Sequence, residues 1–254
     1  MKEDNITISA VGDISLGDHF FSLGHGPRSH LLKNKGKDLL TDISKHFKAS
    51  DIVFGNLEGV VSDIGLEPDC YKSSAFRGPE CASLFLKEKN FSILNIANNH
   101  SLQHGLEAFE NTVTNLVENN ILVLGLAKHN TYSTTPVIKN VKGKKIGFLG
   151  YSTVEDVYIP NQKKYSNASI EEICSDVKLL SSNVDFIIVS AHYGVEALDE
   201  PREEDIHFSR KVIDAGANLF LGHHSHVFQR VERYKHGVIA YSLGNFVFDL
   251  PWDK

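Results

Sequence analysis

Asn218-Leu219-Phe220-Leu221-Gly222-His223-His224-Ser225-His226 is a short apolar run that breaks off into glycine and three histidines. The run is too short for a buried helix and reads as a strand covered on both faces. The same grammar recurs along the 254-residue chain. Ile6–Val11 runs into Gly12-Asp13, Asp51–Phe54 into Gly55-Asn56-Leu57-Glu58, and Phe91–Ala97 into Asn98-Asn99-His100. Asp185–Ala191 runs into His192, and Val238–Leu243 into Gly244-Asn245. Strand after strand delivers Asp, Asn, Glu or His at its carboxyl end. In α/β sheets ligands bind beyond those ends, so parallel strands would bring these residues to one rim.

Further strands are expected at Ile121–Leu124 and Lys145–Leu149. Helical patterns lie between the strands. Leu39, Leu40, Ile43 and Phe47 follow a 3.6-residue period, as do Leu106, Phe109, Val113, Leu116 and Val117. Ile170, Ile173, Val177 and Leu180 do the same behind a Ser169–Glu172 capping box, and a fourth helix is expected over 201–215, ending at Gly216. Alternating strands and helices imply an α/β fold with a largely parallel or mixed sheet. The longest loops are expected at 59–80 and 152–168. No repeat or linker interrupts the pattern, so residues 1–254 read as one domain.

The composition is that of a globular protein, with 41% hydrophobic and 23% charged residues. The net charge of −6 argues against non-specific nucleic-acid binding. No apolar run approaches a membrane span, and the polar start Met1-Lys2-Glu3-Asp4-Asn5 does not read as a leader, so the expected location is cytoplasmic, with peripheral envelope association as the variant. Cys70, Cys81 and Cys174 fit no metal or disulfide framework and read as reduced thiols. Imidazole, carboxylate and amide oxygen together suit Mn, Fe or Zn rather than calcium. A pair of such ions can polarise a phosphoryl oxygen and activate water, which points to hydrolysis of a phosphoester or related bond. His25, His30, His46, His129, His207 and His236 lack such a setting and read as surface or packing residues.

Taken in order, the segments Gly12-Asp13-Ile14-Ser15-Leu16-Gly17, Asn56-Leu57-Glu58-Gly59, Ala97-Asn98-Asn99-His100, Ala191-His192-Tyr193-Gly194-Val195-Glu196, Gly222-His223-His224-Ser225-His226-Val227-Phe228-Gln229 and Tyr241-Ser242-Leu243-Gly244-Asn245-Phe246-Val247-Phe248-Asp249 resemble the CapA family. These are bacterial capsule-biosynthesis proteins associated with poly-γ-glutamate, within the calcineurin-like metallophosphoesterase superfamily. The resemblance implies a four-layer α/β/β/α sandwich with mixed sheets and two divalent metal ions. It casts Asp13, Glu58, Asn99, His192, His224 and His226 as metal ligands, with Glu58 as the bridge rather than Asp13, Asn99 as the amide ligand, His192 and His224 on the second ion and His226 on the first. His100 becomes the catalytic residue that contacts the phosphoryl group and protonates a leaving group. His223 is expected to point to the opposite face in a supporting role.

The chain departs from the family pattern in three places. Ser15 stands where the superfamily usually has a ligand histidine, with His19 a substitute from the next loop; Gln103 stands where the family tends to be acidic; and the chain stops at Lys254 where relatives often continue. C-terminal strands are then absent or supplied from elsewhere, as by a second subunit or a capsule-assembly partner. The implied substrate is an anionic small molecule or polymer, a phosphoester or poly-γ-glutamate, with Arg77 and Arg230 as candidate anion contacts. Bound cations would reverse the repulsion of a polyanion by the acidic chain. The resemblance implies a metal-dependent hydrolase linked to capsule synthesis. The alternative is a non-catalytic accessory or polymer-binding component.

Overall fold

The computed structural model describes residues 5–37, 39–67, 70–128, 133–160 and 162–249. Residues 1–4, His129 and Lys254, on which the sequence reading drew, lie outside them. Two sheets lie face to face. The first has the order β13-β1-β2-β5-β6, from β1 (Ile8–Ile14), β2 (Ile52–Leu57), β5 (Ile93–Asn95), β6 (Leu122–Leu124) and β13 (Asn245–Val247), all parallel. The second has the order β11-β12-β10-β9-β8-β7, from β7 (Val137–Val141), β8 (Lys144–Ser152), β9 (Phe186–His192), β10 (Leu219–His223), β11 (Val231–Tyr234) and β12 (Gly237–Ala240). It is parallel from β12 to β8 and antiparallel at both edges. A short parallel pair, β3 (Val60–Val61) and β4 (Arg77–Gly78), sits in the stretch read as loop.

Both faces of the central strands are buried, which is why they read as unbroken apolar runs. Ile52 and Phe54 of β2, with Ile93, point into the layer between the sheets and meet Phe148, Ile188 and Leu221 there. Val53 and Leu57 point the other way, to the helices of the first sheet. Those helices are α1 (Pro27–Asn34), α2 (Ser44–Lys48), α3 (Tyr71–Ser74), α4 (Ala82–Glu88) and α5 (Gly105–Glu118). The outer face of the second sheet packs on α6 (Ile170–Ser181) and α7 (Glu203–Asp214), through Ile173, Val177, Val212 and Ile213. The result is the expected four-layer sandwich.

The capping box forms as read: the Ser169 hydroxyl accepts from the Glu172 N–H, and Glu172 accepts from the Ser169 N–H at 2.8 Å. The helix expected from Leu39 to Phe47 does not form at that length. Leu40 has a φ of +62°, which no right-handed helix contains, and only Ser44–Lys48 is helical. Two glycines let neighbouring strands close at the rim. A Cβ on Gly12 would meet the Gly244 carbonyl oxygen at 1.8 Å, and one on Gly222 would meet that of Tyr241 at 1.9 Å. No described helix is long and apolar enough to cross a membrane, and the three cysteines are free.

Candidate metal centre

Parallel strands of both sheets end on one rim, and the residues that follow meet across the seam between the sheets. The register of β1 against its neighbours shifts around Gly12 and Asp13, an irregularity that re-aims the Asp13 side chain. Asp13 is fully buried. Its Oδ1 accepts from Asn56 Nδ2 at 2.8 Å, its Oδ2 accepts from the His224 N–H at 3.1 Å, and His223 Nδ1 stands 3.4 Å from Oδ1. His226 Nδ1 lies 3.7 Å from Oδ2. Burial alone would raise the Asp13 carboxyl; the His223 contact and the fields of His192 and His226 outweigh it and hold the group well below the usual range.

Glu58 follows β2 directly and is 1% exposed. Neither carboxylate oxygen has a hydrogen-bond donor among the described residues. Instead Oε1 faces Nε2 of His100 at 3.6 Å, of His192 at 3.9 Å and of His226 at 4.0 Å. Burial, then the charges of Asp13 and Glu196, push this carboxyl well above the usual carboxylate range. A buried carboxylate without donors, ringed by imidazole nitrogens, fits a cation better than it fits the protein alone.

His192, the last residue of β9, is fully buried. Its Nε2 meets Asn99 Oδ1 at 2.8 Å, and its Nδ1 meets Asn56 Nδ2 at 3.3 Å. Asn56 in turn accepts from Asn95 Nδ2 at 2.9 Å. Burial lowers His192 strongly and His224 in the same sense. His224 and His226 sit at φ of +89° and +61°. The segment is therefore bent rather than extended, yet their ring centroids lie 6.1 Å apart, and His224 is 4.7 Å from His192. His226 Nδ1 meets Asn245 Oδ1 at 2.9 Å.

The expectation for His223 is corrected. β10 continues through it, so alternation with Leu219 and Leu221 turns it into the layer between the sheets, against Asp13 and 6.1 Å from the Phe54 ring. Neither of its ring nitrogens has a hydrogen bond among the described residues.

His100 stacks flat on Phe76, with ring centroids 3.6 Å apart and planes 6° apart. Its Nδ1 meets Gln103 Oε1 at 2.7 Å. An amide oxygen only accepts, so Nδ1 carries the proton and Nε2 turns its lone pair to the centre. Burial lowers the His100 pKa to about 4, with the Gln103 contact opposing.

Nine residues named from sequence thus divide. Asp13, Glu58, Asn99, His100, His192, His224 and His226 come together; the arginines are engaged elsewhere. Arg77 is buried and donates to the carbonyl of Ile64 at 2.5 Å and that of Ser62 at 3.4 Å. Arg230 lies 3.8 Å from Glu200 and over the Tyr241 ring. His19 packs on Phe20 and Phe21 and belongs to neither ligand group. Those groups are Asp13, Glu58 and His192, all buried, and Glu196, His224 and His226; within each, ligand atoms lie within 4.8 Å of one another. Sequence reading assigned no role to Asn56, Asn245 or Glu196. The first two stand at strand ends it had marked; Glu196 follows His192 by one turn of loop.

Comparison with known proteins agrees with this geometry. The family model of the bacterial capsule synthesis protein PGA_cap matches residues 7–250. The chain is 29% identical over 262 residues to the PGA biosynthesis protein CapA of Bacillus subtilis, covering 100% of this chain and 66% of that protein. It is 28% identical over 263 residues to the capsule biosynthesis protein CapA of Bacillus anthracis, covering 100% and 62%. It thus spans just under two thirds of the length of these relatives. A putative 5'-nucleotidase from Staphylococcus aureus, solved in complex with α-ketoglutarate, superposes with a TM-score of 0.61 at 18% identity, over 92% of this chain and 48% of that one. The fold is metallophosphoesterase-like.

Proposed function

Because the chain belongs to the bacterial capsule synthesis protein family PGA_cap, we propose that it is a metal-dependent hydrolase of an anionic substrate in capsule or poly-γ-glutamate synthesis. The observation that carries this reading is Glu58: a buried carboxylate with no donor on either oxygen, facing three imidazole nitrogens within 4.0 Å. Asp13, Glu58, Asn99, His192, His224 and His226 would hold two divalent ions of the Mn, Fe or Zn class. Bound there, the ions would polarise the phosphoryl or acyl oxygen of the substrate and lower the pKa of water.

The chain's own residues supply the rest. Asn56 fixes Asp13 and His192 together from opposite sheets. Phe76 and Gln103 hold the His100 ring, so that its Nε2 can take a proton from a group at the centre and return it to a leaving oxygen or nitrogen. The walls of the site exclude water from the two buried carboxylates and strengthen every charge interaction there.

The test is to load purified protein with manganese, desalt it, and measure retained metal together with hydrolysis of phosphomonoester, phosphodiester and γ-glutamyl substrates. Wild type should retain about two ions and hydrolyse at least one class, as a two-ion site of this type does. Glu58→Gln should lose both. Hydrolysis that survives Glu58→Gln sinks the reading. A second reading, polymer binding without turnover, draws on Gln103: an uncharged partner supports an imidazolium less well than a carboxylate would. Retention of poly-γ-glutamate by protein that hydrolyses none of these substrates would favour it.

A further inference from the structure

We propose that Glu196 is a metal ligand, which with His224 and His226 forms an outer divalent-cation site beside the buried group of Asp13, Glu58 and His192. The inference deepens the hydrolase reading and rests on it for the presence of a cation at this rim.

Three independent features converge. The first is placement. Glu196 lies on the loop after β9, and that loop is pinned to the histidine segment: the Ala197 N–H donates to the Ser225 carbonyl, between the two histidines, at 2.9 Å. Gln229 Nε2 donates to the Leu198 carbonyl at 2.8 Å, closing the loop from its other side. Ligand atoms of Glu196, His224 and His226 lie within 4.8 Å of one another in consequence.

The second is strain. Ala197, His224 and His226 sit at φ of +58°, +89° and +61°. Non-glycine residues in that region cost on the order of 1–3 kcal/mol each and persist where the surroundings over-determine them. Here they turn two imidazoles and a carboxylate toward a common point.

The third is unmet bonding. His224 is 6% exposed, and its Nδ1 has no hydrogen-bond partner among the described residues. Among the described residues the Glu196 side chain has no hydrogen bond or ion pair, although its carboxylate stands beside the two imidazoles. One carboxylate and two imidazoles leave open positions on a Zn, Mn or Fe ion, as exchangeable and substrate-facing sites do. Glu196 is exposed while Asp13, Glu58 and His192 are not, so the two sites differ in access to solvent.

Metal-stripped full chain would be titrated with Mn²⁺ by calorimetry, with elemental analysis after desalting. Wild type is expected to show two binding steps. Glu196→Gln should weaken the outer step about tenfold or more, since even supporting residues around a metal shift affinity by 10–100-fold, and leave the inner step in place. Glu200→Gln, on the same loop and 3.8 Å from Arg230, should change neither step. Because Glu196 is exposed, the melting temperature of the metal-free variant should match that of wild type. Two steps in Glu196→Gln with wild-type affinities would overturn the inference and leave the hydrolase reading standing. A single wild-type step that Glu196→Gln leaves unchanged would overturn it also. No Mn²⁺ uptake by wild type would bring down the hydrolase reading and this inference together.

Discussion

The two sheets contribute different chemistry to their shared rim. The first supplies acids and amides: Asp13, Asn56, Glu58, Asn95 and Asn99. The second supplies imidazoles: His192, His223, His224 and His226. Neither half is electrically reasonable alone. The first leaves two buried carboxylates close enough that Asp13 raises Glu58, and the second packs imidazoles whose ring nitrogens lack partners. Docked, each half answers the other, and the contacts across the seam (Asn56 to His192, Asp13 to the His224 N–H) fix ligand atoms of one sheet against the other. The lesson is that the centre belongs to the interface between the sheets. Changes at the seam should therefore reach both stability and ion binding, changes in an exposed ligand such as Glu196 chiefly ion binding, and changes away from the rim only stability.

The largest expected effect is in the apolar layer that docks the halves. Phe54 and Phe148 face each other across it, with ring centroids 6.4 Å apart. Phe148→Ala should cost about 3–5 kcal/mol in urea unfolding, the usual range for a buried ring truncated to alanine. A loss under about 1 kcal/mol would mean that the sheets do not share a close-packed core. Next is Asn56, which touches both halves. Asn56→Ala strips Asp13 of one donor and takes from Asn95 Nδ2 the shorter of its two acceptors, so about 1–3 kcal/mol should be lost. Mn²⁺ affinity should fall about 10–100-fold with it, as for residues that orient metal ligands. Unchanged affinity in a folded Asn56→Ala protein would break the contrast between seam and periphery. The smallest is Ser169→Ala at the start of α6, on the far side of the second sheet. It removes one cap and should cost about 1 kcal/mol without altering Mn²⁺ uptake. A change in uptake there would show that the centre responds to the fold as a whole.

How far this was legible in the sequence depends on burial. All eight strands expected from apolar runs are present, because strands covered on both faces carry little but Val, Ile, Leu and Phe. The strands that escaped notice are edge or very short ones. Val137–Val141 and Val231–Tyr234 have no buried position and carry Lys139, Asn140, Glu232 and Arg233 among their apolar residues, and Asn245–Val247 is only three residues long. The site residues stood out because carboxylates and histidines after apolar runs are conspicuous. Asn56 and Asn245 were visible too, but an amide after a strand resembles an ordinary turn former. His223 keeps the alternation of β10, but the positive φ of His224 ends it there, so the direction of His223 relative to His224 and His226 did not follow from their spacing. Glu196 needed the third dimension: nothing in a loop glutamate announces that the next N–H will pin it to a segment nearly thirty residues away.

The hydrogen bond from the His224 N–H to Asp13 joins residues 211 positions apart. That separation sets an order of events during synthesis. The acids emerge from the ribosome early, and every imidazole of the second sheet's rim emerges after residue 191. Domains fold as units, and β1 pairs with β13 at Asn245–Val247, so Asp13 and Glu58 stay solvated until the strands of the second sheet have been made. Ion capture at the seam therefore waits on the second sheet: its full ligand set exists only once residue 226 has been made.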